Sequence, residues 1–287
     1  MSRRNSPTVR RRRLGAELRR LREVARMPGE DVAAYMNWSL AKLSRIETGK
    51  VGVAWEGVAA LLDLYGYPEG EQREALIALA REAKQVGWWQ SYSDFLSKDY
   101  RTYIGLETAA ARLDIFQTLG IPGPLQTAEY ARAVISEGGP LDLDDDAIER
   151  RVNLRLERQA VLKGEHPLEL WAVLDEAALR REVGGRETMA TQLQRLAEAA
   201  RQPGITLQVI AFDAGVHASL PGSFGIFHFA GEDEPDVAFS ESFGGTLFLE
   251  RAADVRAANL TFEHLKATAK SAADSLKFIQ AVAKGYE

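Results

Sequence analysis

Apolar residues in the first third of the chain recur at helical spacing. Leu14, Leu18, Leu21 and Ala25 step by four, three and four, which predicts a helix over 13–26 with one apolar stripe. Val32, Ala33 and Met36 predict a second helix over 29–36. Leu43 and Ile46 lie three apart and share the inner face of a short third helix, entered at Ser39 and stopped at Gly49. Val58, Leu61, Leu62 and Tyr65 predict a fourth over 55–65, and Leu76, Leu79, Ala80 and Ala83 a fifth over 71–84. Beyond residue 105 the periods mix. Residues 106–118 read as a helix or a helix and a strand, and 147–163 as a helix. Residues 168–174, 205–211, 223–229, 236–242 and 246–250 read as strands parted by Gly, Glu, Asp and Pro. Residues 176–183, 187–201 and 253–283 read as helical. The expected architecture is an all-α five-helix head followed by an α+β domain with a small mixed or antiparallel sheet.

The third helix carries the most specific chemistry. The Ser39 hydroxyl is placed to accept a bond from an unpaired N–H of the first turn. Gly49 is a natural stop, because glycine takes the left-handed conformation at little cost. Leu40, Ala41, Lys42, Ser44 and Arg45 fall on the outer and flanking faces, and Lys50 follows the stop. The result is a short helix with a small, partly basic outer surface, able to enter a major groove. Ahead of it, Arg10-Arg11-Arg12-Arg13 forms a basic run that can track phosphates.

Charge distribution strengthens this reading. The net charge of -5 hides +8 in residues 1–50 against -13 in the remainder. A positive head suits a phosphate backbone, and the acidic body does not. The chain is expected to divide into a basic flexible arm (1–12), a helix-turn-helix head (13–86), an aromatic junction (87–105) and an α+β domain for effector, partner or dimerisation (106–287).

Elsewhere the search for chemistry returns mainly absences. The chain has no Cys, so it has neither a disulfide nor a thiolate site. No apolar run approaches ~18 residues, and no signal-peptide core follows the basic start. These features lead to the expectation of a cytoplasmic protein with no membrane contact. There is no phosphate-cradling glycine loop and no nucleophile elbow. The four His are scattered without metal spacing, so neither a metal nor a cofactor is expected. The acidic run over 141–146 lacks the Gly and distal Glu of a calcium loop and reads as a helix start. Asp175, Glu176, His217 and Glu241 are the best catalytic candidates, yet caps, hinges and surface carboxylates account for them, and no enzyme is expected. Trp88, Trp89, Tyr92 and Tyr103 either line a pocket or form a seam between domains. His217, in a loop between two strands, is the other candidate for ligand or partner contact.

Residues 13–66 resemble the Xre/Cro family of helix-turn-helix repressors. Ser39 through Gly49 follows its S-x-x-x-[ILV]-S-R-[ILV]-E-x-G recognition pattern. The resemblance implies that Leu40, Ala41 and Lys42 read bases, that Arg45 contacts DNA, and that Glu47 makes internal bonds. The chain departs from the family where Pro28-Gly29 replaces the usual Thr-Gln pair. The rest resembles a domain of unknown function appended to such heads in actinobacterial, antitoxin-like regulators. It does so through the Gly87-Trp88-Trp89 junction, the stretch Pro122 to Thr127, Arg155 to Gln159, Trp171 to Glu176, and Gly245 to Glu250. That resemblance implies a small partner protein encoded nearby and no catalytic residues. The expectation is a sequence-specific regulator of double-stranded DNA, a homodimer, whose second domain answers to a partner protein. The competing readings are a small-molecule sensor domain and an enzyme with a DNA-targeting head.

Overall fold

The computed structural model describes residues 6–84, 87–139, 143–231, 234–242 and 244–286. The expected boundary at 86, residues 1–5 of the expected arm, and the first two residues of the acidic run at 141–142 lie outside the described residues. The chain forms two compact units, Met1–Ala109 with Gly231–Glu234, and Ala110–Ala230 with Pro235–Glu287. Among the described residues no helix is long and apolar enough to cross a membrane.

The first unit is helical: α1 (Pro7–Val24), α2 (Gly29–Tyr35), α3 (Leu40–Glu47), α4 (Trp55–Leu64) and α5 (Glu71–Glu82). A 3-10 turn (Trp88–Tyr92) and α6 (Lys98–Ala109) follow. Leu14, Leu18, Leu21, Val32, Leu43, Ile46, Val58, Leu61 and Leu62 meet in one core, as the periodicity predicts. Two details differ. Helix α1 starts at Pro7, not near residue 13. Proline suits the first helical position, and α6 packs on this turn, burying Thr8, Val9 and Arg10. The basic run is therefore helix over 10–13, not a flexible arm. In α5 the inward stripe is Arg73, Ile77 and Ala80, with Leu76 and Leu79 only partly buried. Arg73 can lie inside because its guanidinium reaches Asp63 (2.6 Å) and Glu69 (3.3 Å).

The second unit alternates helices and strands: β1 (Arg112–Gln117), α7 (Ala128–Gly138), α8 (Asp145–Arg158), β2 (Glu169–Asp175), α9 (Glu176–Arg180), α10 (Gly185–Ala199) and β3 (Ile205–Ile210). Then come β4 (Phe224–His228), β5 (Val237–Ser242), β6 (Gly245–Leu249), α11 (Ala252–Thr268) and α12 (Ala272–Lys284). The strands form one mixed sheet in the order β3-β2-β1-β4-β5-β6. The long helical connections make β1, β2 and β3 parallel, and the short ones make β4, β5 and β6 antiparallel. Residues 113–116 of β1 are all buried, so this strand is covered on both faces. Under α11, one face gathers Phe116, Val173, Ile210, Ile226, Ala238, Phe262 and Leu265.

A charged cluster closes one end of that face. Asp114 is buried and takes two bonds from Arg112 (2.6 and 2.7 Å). His228 bridges Asp114 (Nε2, 3.1 Å) and Asp236 (Nδ1, 2.7 Å). Burial works against the charged imidazole, but the hydrogen bonds to Asp114 and Asp236 outweigh it and raise His228 to about 9. The folded value lies above the unfolded one, so the stabilisation is complete below about pH 6.5 and lost as pH rises through 9. Solvent screening limits it to the order of 1–2 kcal/mol. Urea unfolding from pH 6 to 10 should show a decline in the wild type that His228→Gln largely removes. Parallel curves for the two proteins would count against this role for the bridge.

Candidate nucleic-acid interface

Local chemistry sets the ends of α3. Asn37 takes a positive φ of 51° at the turn, and the Trp38 N–H donates to the Ala33 carbonyl at 2.8 Å. The Ser39 hydroxyl accepts from the Lys42 N–H at 3.1 Å, the expected cap. At the other end Gly49 has φ +66°, and a Cβ there would come within 2.6 Å of the Arg12 backbone. Gly15 plays the matching role on α1, where a Cβ would meet the Ile46 carbonyl oxygen at 2.3 Å. Glycine at both places lets α1 and α3 cross in close contact.

An ion pair locks this crossing. Arg22 of α1 donates to Glu47 of α3 through two nitrogens, at 2.6 and 3.0 Å, and through a third to the Met27 carbonyl at 3.0 Å. Both side chains are largely buried. The hydrogen bond to Glu47 raises Arg22 above its ordinary value. The adjacent Tyr65 hydroxyl is pushed up to about 12, by burial and then by the Glu47 charge. Glu47 thus makes internal bonds, as the resemblance implies. Arg22, its partner 25 residues earlier, escaped the sequence reading.

With Leu43 and Ile46 buried, the opposite surface of α3 faces outward. Ser39, Leu40, Ala41, Ser44, Arg45 and Lys50 are all exposed, Leu40 at 49%. The Lys42 ammonium lies over the Trp38 ring, 4.3 Å from its centre. Arg45 Nε donates to the Ala41 carbonyl at 3.3 Å. In the basic run Arg13 is exposed, while Arg11 and Arg12 are half-buried. Arg10 is turned inward onto Glu82 (3.3 Å). Burial lowers the Arg11 guanidinium from its ordinary value. This surface has a small apolar ridge flanked by cations on adjoining elements, a composition suited to a groove edge and its phosphates.

The other candidates sit differently. In the first unit Trp89 and Tyr103 are buried, and Trp88 and Tyr92 half-buried. They pack in local aromatic pairs: Trp88–Trp89 (6.0 Å), Tyr92–Phe95 (5.9 Å) and Tyr100–Tyr103 (6.3 Å). In the second unit Asp175, Glu176 and His217 gather at the carboxyl ends of the parallel strands, while Glu241 stands three strands away on β5. The His217 side chain is only 5% exposed, edge-on to Phe116 and 3.6 Å from Asp175. Its Nδ1 accepts from the Ser219 N–H (3.3 Å), and Glu176 accepts from the Phe212 N–H (2.8 Å). These groups hold the 211–223 loop from beneath. Above it, Phe212, Val216 and Leu220 are 59–82% exposed, and Leu119 after β1 is 54% exposed. Apolar residues in a loop were the unused sequence signal for this crest. A groove of about 300 Å³ between α10 and α12 is lined by Glu198, Arg201, Gln280 and Lys284 among others. Among the described residues no three His, Asp or Glu are grouped to hold a metal ion.

Residues 13–76 match the helix-turn-helix domain family, and residues 100–281 match a domain of unknown function, DUF5753. No curated protein and no solved structure matches the chain.

Proposed function

Because the chain belongs to the DUF5753 family and carries a DNA-binding helix-turn-helix domain ahead of that domain, we propose that it is a sequence-specific transcription regulator of Xre type. The observation that carries this is α3 itself: capped at Ser39, locked through Glu47, and presenting an unburied outer surface between cations. Leu40, Ala41 and Lys42 meet base edges, Leu40 and Ala41 through thymine methyl groups. Ser39, Ser44, Arg45, Lys50 and Arg11, Arg12 and Arg13 meet the phosphates. Trp38 steers Lys42 by lying under its ammonium.

The chain acts as a homodimer, because one short helix covers only part of one groove turn and two half-sites give usable specificity. Its second domain answers to a small protein encoded nearby, as in the antitoxin-like regulators that its motifs resemble. The crest of Phe212, Val216, Leu220 and Leu119 supports a protein partner. Its loop is held rigid from below, and large apolar side chains are displayed outward where water would otherwise be favoured.

The test is binding by the full chain to DNA selected from random sequence. With about four phosphates neutralised, affinity should fall about a hundredfold between roughly 50 and 200 mM salt. Arg45→Ala should weaken all sequences alike, and Lys42→Ala should relax preference at one base position by about 1–3 kcal/mol. Salt-indifferent binding, or equal non-selective losses from both variants, would reject the assignment.

A further inference from the structure

We propose that β6 is the seam of the dimer: two copies of this chain pair antiparallel along β6 and join their sheets into one of twelve strands. This inference rests on the homodimer reading above and adds where the copies meet.

The sheet has two edges, and they are treated differently. At the β3 edge the Val209 carbonyl accepts from the Lys270 N–H at 2.9 Å, and the Val209 N–H donates to the Ser275 hydroxyl at 2.9 Å. Lys270 and Ser275, at the entry to α12, thus occupy the outward backbone groups of Val209 on that side. At the other edge β6 pairs with β5, and no further strand follows among the described residues. Natural sheets blunt an open edge with charge, proline or a bulge. The five residues Gly245-Thr246-Leu247-Phe248-Leu249 hold neither charge nor proline, and their pairing with Ala238 to Ser242 runs without a bulge.

The side chains of β6 suit its own reversed copy. Leu249 packs into the core under α11, so Leu247, two residues away, lies on the same face, 61% exposed. Phe248 is half-buried on the opposite face. A two-fold axis through Leu247 sets Leu247 against itself and Phe248 against Thr246. An axis through Phe248 sets Leu247 against Leu249 and Phe248 against itself. Either register covers Leu247 with leucine and puts no like charges opposite each other. A two-fold contact uses the β6 edge of both copies at once, so pairing closes at two copies instead of growing into a fibre.

The chain has no cysteine, so a single introduced one reports its own symmetry mate. Residues paired at the axis have Cα atoms about 4.5–5.5 Å apart, within disulfide reach. Under mild oxidation the full-length Leu247→Cys or Phe248→Cys variant should form a linked dimer at least tenfold more than Lys277→Cys, placed on exposed α12. Full-length Leu247→Lys should sediment as a monomer at micromolar concentration. A wild-type dimer that neither cysteine links, or that survives Leu247→Lys, overturns the seam and leaves the dimer reading standing. A monomeric wild type overturns both.

Discussion

Glu47→Ala should destabilise the first unit by about 3–5 kcal/mol and abolish DNA binding at 37 °C. The size follows from what remains. Glu47 is 8% exposed and takes two bonds from Arg22, itself 15% exposed. Removing the carboxylate leaves a guanidinium against the α1–α3 crossing with the Met27 carbonyl as its remaining hydrogen-bond acceptor among the described residues. The direction differs when both charges go. Arg22→Met with Glu47→Leu should cost less than either single truncation, because no unpaired charge is stranded. Urea unfolding followed by tryptophan fluorescence reads this unit, since Trp38, Trp55, Trp88 and Trp89 lie in it and only Trp171 in the other. A double-mutant cycle with coupling near zero would mean that glycine-mediated packing alone sets α3. The functional consequence is geometric. α3 has eight residues, so its outer surface is aimed by its two contacts with α1 and not by its own stiffness.

The parts of this site that are local in sequence were legible there. Leu43, Ile46, Ser39 and Gly49 lie within eleven residues, and each expresses a rule of one helix: face, face, cap and stop. Arg22 was not legible, because nothing in the α1 stripe distinguishes a buried arginine from its solvated neighbours Arg19 and Arg20. The start of α1 failed for the same reason. Thr8, Val9 and Arg10 carry no apolar period, and they are covered by α6, ninety residues away. In the second unit β2 to β6 were legible from alternation and turn residues, while β1, buried along 113–116, reads equally as a helix or as a helix with a strand. The strand order was not legible, because placing β1 between β2 and β4 depends on pairings such as Asp114 with Trp171 and with Ile226. His217 shows the converse limit. A loop histidine reads as a contact residue, yet here its ring faces inward and the apolar residues beside it face out.

Gln192→Leu should destabilise the second unit by about 3 kcal/mol although it keeps the side-chain bulk. Gln192 is fully buried on α10 and works as a double clamp on the Pro122 to Thr127 stretch. Its amide donates to the Leu125 carbonyl at 2.9 Å, and its oxygen accepts from the Thr127 N–H at 2.8 Å. Leucine satisfies neither, and each orphaned backbone group costs about 1–3 kcal/mol. The stretch is bound from the other side as well. Gln126 donates to the Ile121 carbonyl (2.7 Å) and accepts from Arg155 (2.9 Å), and Gln159 donates to the Gln126 carbonyl (2.6 Å). These bonds should hold the stretch in place while the α10 contact opens, so the damage stays local. Hydrogen exchange should therefore quicken at the Thr127 amide more than at the β2 amides, alongside the lower urea midpoint. Gln192→Glu separates the two halves of the clamp: it keeps the acceptor for Thr127 but sets a carboxylate oxygen against the Leu125 carbonyl. It should be at least as damaging as leucine near neutral pH and recover in part as the carboxyl is protonated at lower pH. If Gln192→Leu leaves both the midpoint and the Thr127 exchange unchanged, α8 alone secures the stretch and the clamp contributes nothing.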